Sequence, residues 1–577
     1  MPETLRGTRL GAFFPPIRRC GLNLSLSPAV WAAETGCQGA RALLFNSYVF
    51  VYAFLPLALA GYYTTARFGR RPAILWLIVA SFVFYGWWNP AFVPLLVISI
   101  TFNYAVSRLI GATAERPRLQ GWILKFAVAA NLGALIYYKY AVWLIGLMDA
   151  TGLLHARLHD IVLPLGISFF TFTQLGYLLD CRHGIAKDRD VLDYVVFVTF
   201  FPHLIAGPIL HNGEMMPQFA DLATYRFSAT SFAVGLVMFV LGMLKKCLLA
   251  DPIGAIVPAG YAHPEALSLL ASWQTVLSYS LQLYFDFSGY SDMAIGLALM
   301  FNLRFPLNFN SPYKAQSVVE YWQRWHMTLT RYFTQYVYNP LAIAAMRRRT
   351  ARRLPINRLA QMTVRGFTSM AAVPIFVTIL LAGIWHGSGA QFLVFGLLHA
   401  CYLTVNRAVR IFRPNVPTPT RIGTLWRVAL TYLCVLVASV FFRAPSVSAA
   451  VTMLDGMVGM HGFGFSFPAP DVLLARPDGL LTTLQAHGLV HAASWRDTAQ
   501  AGESLLRIAL LYGIVWAMPN TQQIFAEYRP ALEEVIRSPF NWLRWRPTPR
   551  WAIVMSCATT LAGLAVGGTG EFLYFQF

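Results

Sequence analysis

The sequence predicts an all-α, polytopic membrane protein of about 11 to 13 spans. Three observations predict its class. Of the 577 residues, 57% are hydrophobic and only 12% are charged, about half the roughly 25% charge of an ordinary soluble domain. Apolar runs of about 20 residues, the length of helix that crosses a bilayer, recur along nearly the whole chain. Between them the arginines collect in short loops, the distribution of segments retained in the cytoplasm. That distribution accounts for the net charge of +20 and argues against a nucleic-acid partner. The seven cysteines are scattered without a Cys-x-x-Cys pair or zinc-ligand spacing, and read as packing residues.

Residues 1–42 stand apart. They carry Arg6, Arg9, Arg18, Arg19 and Arg41 on what the following loop makes the outer side, and no signal-peptide pattern explains them. They read as an N-terminal extension, disordered or the product of a mis-assigned start, ahead of a membrane domain over 43–577. The first span is expected at about 44–64. Arg67, Arg70 and Arg71 then place the next loop in the cytoplasm. Residues 108–125, with four basic groups against one acid, read as cytoplasmic, and the nearly neutral segment near 149–160 as external. Lys245 and Lys246 mark another inner end. Residues 346–365 hold seven arginines and no acid, and 407–427 five arginines and no acid, so both are cytoplasmic. The chain between them must go up and return, with "WHGSG" at the turn. At 1.5 Å per residue, about 28 Å of helix puts His386 deep in the membrane or near its outer face. Residues 443–503 carry five acids against three bases and read as an outer loop. A basic inner segment at 519–550 and a last span at 551–568 follow.

Ionisable groups inside a membrane are costly and mark functional sites. Asp286 and Asp292 are the only charges between Glu265 and Arg304. The intervening "SGYS" offers a break, so a discontinuous helix with a carboxylate at each broken end is one reading; two acids paired with buried partners that hold the fold is the other. In "EYWQRWHMTLT", helical spacing pairs Glu320 with Arg324 and puts Trp322 and His326 on one face. His326 is either a substrate-orienting donor or a satisfied core histidine. His386 follows an uncharged span and precedes Gly387-Ser388-Gly389, a turn that would expose backbone N–H groups and leave room for a ligand. Its imidazole suits proton transfer near neutrality. His399, 13 residues on, is expected away from that centre. His155 and His159 have a spacing that would suit a metal, but no third ligand is evident. Residues 200–219, with three prolines and two histidines, read as a re-entrant or funnel-lining segment. No GxSxG elbow, P-loop or GxGxxG is present, which disfavours an ATPase or a Rossmann enzyme.

The stretches "LPLGISFFTFTQLGYLLD", "FFPHLIAGPI", "YFDFSGYSDMAIGLALMFNLRFPLNFNSPY", "YWQRWHMTLTRYF", "GIWHGSGAQFLVFGLLHA", "VFFRAP" and "FLYFQF", in this order, resemble the membrane-bound O-acyltransferase superfamily. They are most similar to its bacterial alginate O-acetyltransferase branch, with cellulose-acetylating relatives, and the teichoic-acid D-alanyl transfer protein is a more distant cousin. The resemblance runs from about 43 to 577 and implies a helical bundle around a central funnel, with the histidine reached by a tunnel. It implies that His386, in "WHG", is the essential histidine and His326, in "RWHM", a supporting one. Trp325, Trp385, Arg324, Asp286 and Asp292 are the candidate substrate-binding residues, with no metal and no bound cofactor. The resemblance also implies an inner-membrane enzyme that takes an acyl group from a cytoplasmic thioester, acetyl-CoA, toward an extracellular polysaccharide such as alginate or cellulose, directly or through a periplasmic partner protein. In such a reaction His386 would take the hydroxyl proton, and His326 or N–H groups of the Gly387–Gly389 turn would stabilise the oxyanion. An acyl-histidine intermediate is a variant. The rival reading is a transporter or export component with no chemistry of its own.

Overall fold

The computed structural model describes residues 43–152, 161–186, 190–413, 419–463, 495–566 and 572–573, with side chains of the 495–517 helix from 503 onward. Helix is the only regular secondary structure among them. Residues 1–42, the His155/His159 pair and most of the 443–503 loop lie outside the described residues.

Local sequence explains where the helices begin. Helix α1, Arg70–Trp88, starts at Gly69, whose φ of 118° few side chains tolerate. Asn89 then caps a short turn by accepting from the Ala91 N–H at 3.0 Å, and α2, Val93–Ala112, follows with a proline in its first turn. Helix α3, Pro117–Ala150, opens on a proline and runs for 34 residues. Helix α4, Ala229–Leu244, is capped by Ser228 and continues through a π-helical turn, Lys245–Ala250, to Gly254. Helix α5, Leu269–Met300, is the centre of the bundle, nearly all of it buried.

Glycines fix how closely α4 and α5 approach. A Cβ on Gly235 would lie 2.5 Å from the Gly296 carbonyl oxygen, and one on Gly242 2.6 Å from that of Gly289. Small residues in register on both helices bring the backbones together, which in a membrane gains packing that the lipid cannot supply.

The second half of the chain forms a hairpin. The helical run from Val364 to His386 has 23 residues, about 34 Å of helix, and its last segment is α6, Val373–His386. The return is α7, Ala390–Phe412, followed by α8, Arg421–Arg443. His386 therefore ends its helix at the opposite pole from the arginines of 346–365.

Four expectations are corrected. Helix α5 is continuous through Ser288-Gly289-Tyr290-Ser291, because that glycine serves packing against α4 rather than a break. Lys245 and Lys246 do not end a span; they lie inside the apolar run Ala229–Gly254, where carboxylates neutralise them. The 320–326 stretch is not one helix: Val318–Trp322 ends, and a new helix, Met327–Phe333, starts after His326, whose φ of 42° is left-handed. The 443–503 segment, read as a loop, contains a helix, Val447–Met457. Among the described residues, seven helices are long and apolar enough to cross a membrane. The higher sequence count includes α5, whose serines and tyrosines are covered by protein rather than lipid.

Candidate functional site

Helix α6 delivers His386 at its C-terminal end, and the end of a helix leaves carbonyls without partners. Here side chains from α3 supply them. Lys139 Nζ donates to the carbonyls of Trp385 at 2.6 Å and His386 at 3.0 Å, and the Tyr140 hydroxyl donates to that of Ile384 at 2.6 Å. A cation at a helix C-terminus is also electrostatically favourable. The last turn carrying His386 is thus held from outside its own hairpin.

The hairpin is closed by glycine. A Cβ on Gly383 would sit 2.5 Å from the Gly396 Cα, so α6 and α7 touch there backbone to backbone. Gly387 corrects the expectation of ligand space at the turn. A Cβ there would lie 2.2 Å from the Phe392 ring, and its N–H donates to the Ile384 carbonyl at 3.3 Å. The space is filled by an aromatic ring.

His386 is 6% exposed and opens to a cavity of about 30 Å³ that is also lined by Ser280, Phe287, Tyr321, Trp325, Phe395 and His399. That volume is room for about two waters. The Phe442 ring lies 5.1 Å and the Phe395 ring 5.8 Å from the imidazole, both edge-on. His326, Lys139 and His399 are close enough to His386 to interact with it electrostatically.

His326 is fully buried, with Phe287 edge-on at 4.8 Å and Trp385 at 6.2 Å. Its Nδ1 lies 2.9 Å from Asn308 Oδ1, an oxygen that also accepts from the Thr328 hydroxyl at 2.9 Å. A carbonyl oxygen can only accept, so His326 donates from Nδ1, and its neutral ring keeps the lone pair on Nε2.

Of the other expected site residues, Trp325 lines the cavity and stacks on Tyr321 at 5.7 Å. Trp385 is buried beside both histidines and stacks on Phe172 at 5.4 Å. Three residues are engaged elsewhere, and none of them is among those lining the cavity. Arg324 pairs with Glu320 at 2.8 Å, as spacing predicted, and donates to the Asn310 carbonyl at 3.2 Å. Asp286 faces Lys246 at 2.6 Å, which also meets Asp251 at 2.7 Å, and accepts from the Leu573 N–H at 3.0 Å. Asp292 meets Lys245 at 2.5 Å and accepts from Thr521 at 2.7 Å and Gln522 at 2.6 Å. The two aspartates are thus paired charges that tie α4, α5 and the C-terminal segments together.

The 200–219 segment is two short helices, Phe201–Leu204 and Asn212–Ala220, joined by buried irregular chain at 205–211, and broken backbone is tolerated at membrane depth where protein covers it. Its His203 bonds the Phe197 carbonyl at 2.9 Å, and His211 the Tyr336 hydroxyl at 3.2 Å.

The sequence reading missed four participants: Lys139, Tyr140, Asn308 and His399. For Lys139 a signal existed, since a lysine alone in a long apolar run is an intramembrane charge. His399 was expected elsewhere because 13 residues separate it from His386. The hairpin sets both imidazoles against Phe395, at 5.8 and 4.7 Å, so chain separation overstated their distance.

Comparison with known proteins converges on the same class. Residues 179–354 match the sequence profile of MBOAT, the membrane-bound O-acyltransferase family. The chain is 37% identical to the peptidoglycan O-acetyltransferase of Helicobacter pylori, over 73% of this chain and 80% of that protein. It is 36% identical to the probable alginate O-acetylase AlgI of Pseudomonas aeruginosa, over 72% of this chain and 75% of that protein. Similarity to the teichoic acid D-alanyltransferase of Bacillus subtilis is lower, 26% over 43% of this chain and 60% of that protein. With several apolar spans, a histidine-lined cavity buried among them and relatives of this identity and coverage, the chain belongs to the membrane-bound O-acyltransferase family and is a multi-pass membrane acyltransferase.

Proposed function

We propose that this protein is an O-acetyltransferase of the bacterial inner membrane that passes acetyl groups from cytoplasmic acetyl-CoA toward an extracytoplasmic polysaccharide, directly or through a periplasmic partner protein. The observation that carries this reading is His386: a buried imidazole at the far end of a membrane-length helix from the arginine cluster, facing a cavity and held there by Lys139 and Tyr140. Relatives named for acetylating alginate and peptidoglycan support the acetyl group and the polymer.

In the proposed reaction the acceptor hydroxyl attacks the thioester carbonyl while His386 takes its proton. The new C–O bond forms as the carbonyl π pair moves onto oxygen. Collapse of that oxyanion breaks the C–S bond, and the departing thiolate receives the proton from imidazolium. His326 supports the base from beside Trp385, its orientation set by Asn308. Trp325 supplies an apolar wall that keeps water from the acyl group, and Trp385 packs behind both histidines. Arg324, Asp286 and Asp292 act at a distance, by holding the elements that frame the cavity.

The test is transfer itself. Membranes containing the full chain are given acetyl-CoA labelled in the acetyl group, with alginate or peptidoglycan fragments as acceptor in separate arms. Label appearing in one polymer, dependent on the chain, supports the reading; CoA release without labelled product in any fraction, or no release, overturns it.

A further inference from the structure

An acyl transfer by this route needs hydrogen-bond donors at the oxyanion, typically the largest single contribution in such a site. Two of the donors expected from sequence are committed elsewhere. His326 is bound at Nδ1 to Asn308 and so presents an acceptor at Nε2. The Gly387 N–H is spent on the Ile384 carbonyl.

Several polar groups that line the cavity are spent as well. The Ser280 hydroxyl bonds those of Tyr313 at 2.9 Å and Tyr432 at 2.7 Å. Tyr313 donates to the Ser280 carbonyl at 2.7 Å, and Ser439 donates to that of Leu436 at 2.7 Å. His399, the Tyr321 hydroxyl and the Trp325 indole remain.

His399 is distinguished by its partner. The Trp322 indole N–H lies 3.2 Å from His399 Nδ1. An indole nitrogen can only donate, so Nδ1 must carry the lone pair, and the neutral ring must bear its proton on Nε2. The ring is 1% exposed, and the cavity it lines is the one His386 lines. Its plane is held between Tyr321, parallel at 6.4 Å, and Phe395, edge-on at 4.7 Å. Phe395 also lies against His386, its ring 5.8 Å from that imidazole, so the two histidines share this neighbour. A base about 3 Å from the attacking hydroxyl and a donor about 3 Å from the oxyanion must be separated by the reacting carbonyl, and two imidazoles that line one cavity can divide those roles. His386 and His399 are also electrostatically coupled.

We propose that Trp322 locks His399 in the Nε2–H tautomer, and that this N–H is the oxyanion donor of the acyl transfer, paired across the cavity with His386 as base. The proton on Nε2 is shared with the oxyanion and not transferred, so the tautomer is the same before and after each turnover. This inference rests on the proposed acetyl transfer.

The experiment measures CoA release and labelled product in membranes holding the full chain, at varied acetyl-CoA, with protein quantified in the membrane and checked for a single dispersed species after solubilisation. His399→Phe keeps a ring and removes the donor; it should lower kcat by about 10²–10³-fold while KM for acetyl-CoA is unchanged. His399→Gln restores an N–H donor and should recover a substantial part of that loss. Trp322→Phe frees the tautomer and should give a smaller fall in kcat, again without a KM change. Normal kcat in His399→Phe overturns the inference, as does equal loss in His399→Phe and His399→Gln, which would show that ring shape alone matters. Loss in Tyr321→Phe or Trp325→Phe with His399→Phe unaffected assigns the donor elsewhere and also overturns it. If the wild type itself transfers no acetyl group, the failure belongs to the functional reading and not to His399.

Discussion

A lysine inside a 34-residue, largely apolar helix costs several kcal/mol unless its ammonium finds acceptors. Lys139 finds two, the carbonyls that end the His386 helix, and its aliphatic stem leaves the ammonium over the Trp385 ring at 5.7 Å. Position, more than charge alone, is what it gives the site. Lys139→Met keeps the length and removes the donors, so the last turn of α6 should relax and His386 shift. A displacement near 1 Å typically costs about 10²-fold in rate. That loss should appear in kcat at unchanged membrane expression, and Lys139→Arg should be partly active. Full activity in Lys139→Met would show that Tyr140 and the hairpin suffice. At this scale the sequence was half legible. His386 and His326 stand out by residue type and setting, Trp325 by the resemblance alone, and the cavity joins His386 and Trp325. Asn308 and His399 were not, because their roles depend on which ring nitrogen faces which neighbour, and no spacing rule encodes that.

At the scale of elements, close glycine contacts decide where side chains end up. Gly383 against Gly396 sets the separation of α6 and α7. Gly383→Val adds bulk where backbone already touches, an overpacking that costs about 1–3 kcal/mol and pushes the His386 turn away from Phe395. The expected outcome is a lower unfolding temperature in detergent together with reduced transfer; an unchanged protein would mean that the helices separate freely. Patterns of this kind were only partly readable. The up-and-return of 366–406 followed from arginine clusters at both ends, and the structure has that hairpin. The "SGYS" stretch in α5 suggested a break, yet Gly289 faces Gly242 on α4, and whether a glycine serves a kink or a contact depends on the neighbouring helix. The Lys245–Lys246 pair misled for a related reason. Basic residues report sidedness when they are free in a loop, and these two are neutralised by Asp286, Asp251 and Asp292 inside the bundle.

Over the whole molecule, the arginine distribution predicts that 346–365 and 407–427 face the cytoplasm and that the segment after α8 is external. In a chain whose seven native cysteines are replaced, Ala351→Cys and Met460→Cys should respond oppositely to an impermeant thiol reagent on intact cells. Only the second should be labelled before permeabilisation. Equal labelling at both would overturn the orientation, and with it the direction of acyl flow. The central claim is that His386 is the base, and it is tested most directly by transfer of labelled acetyl from acetyl-CoA to polymer by His386→Ala, normalised to protein in the membrane. Removing a general base typically costs about 10²–10⁴-fold. The variant should insert normally, since the imidazole opens to a cavity on one side, and its transfer should fall by that factor. Near wild-type transfer by His386→Ala would contradict the account.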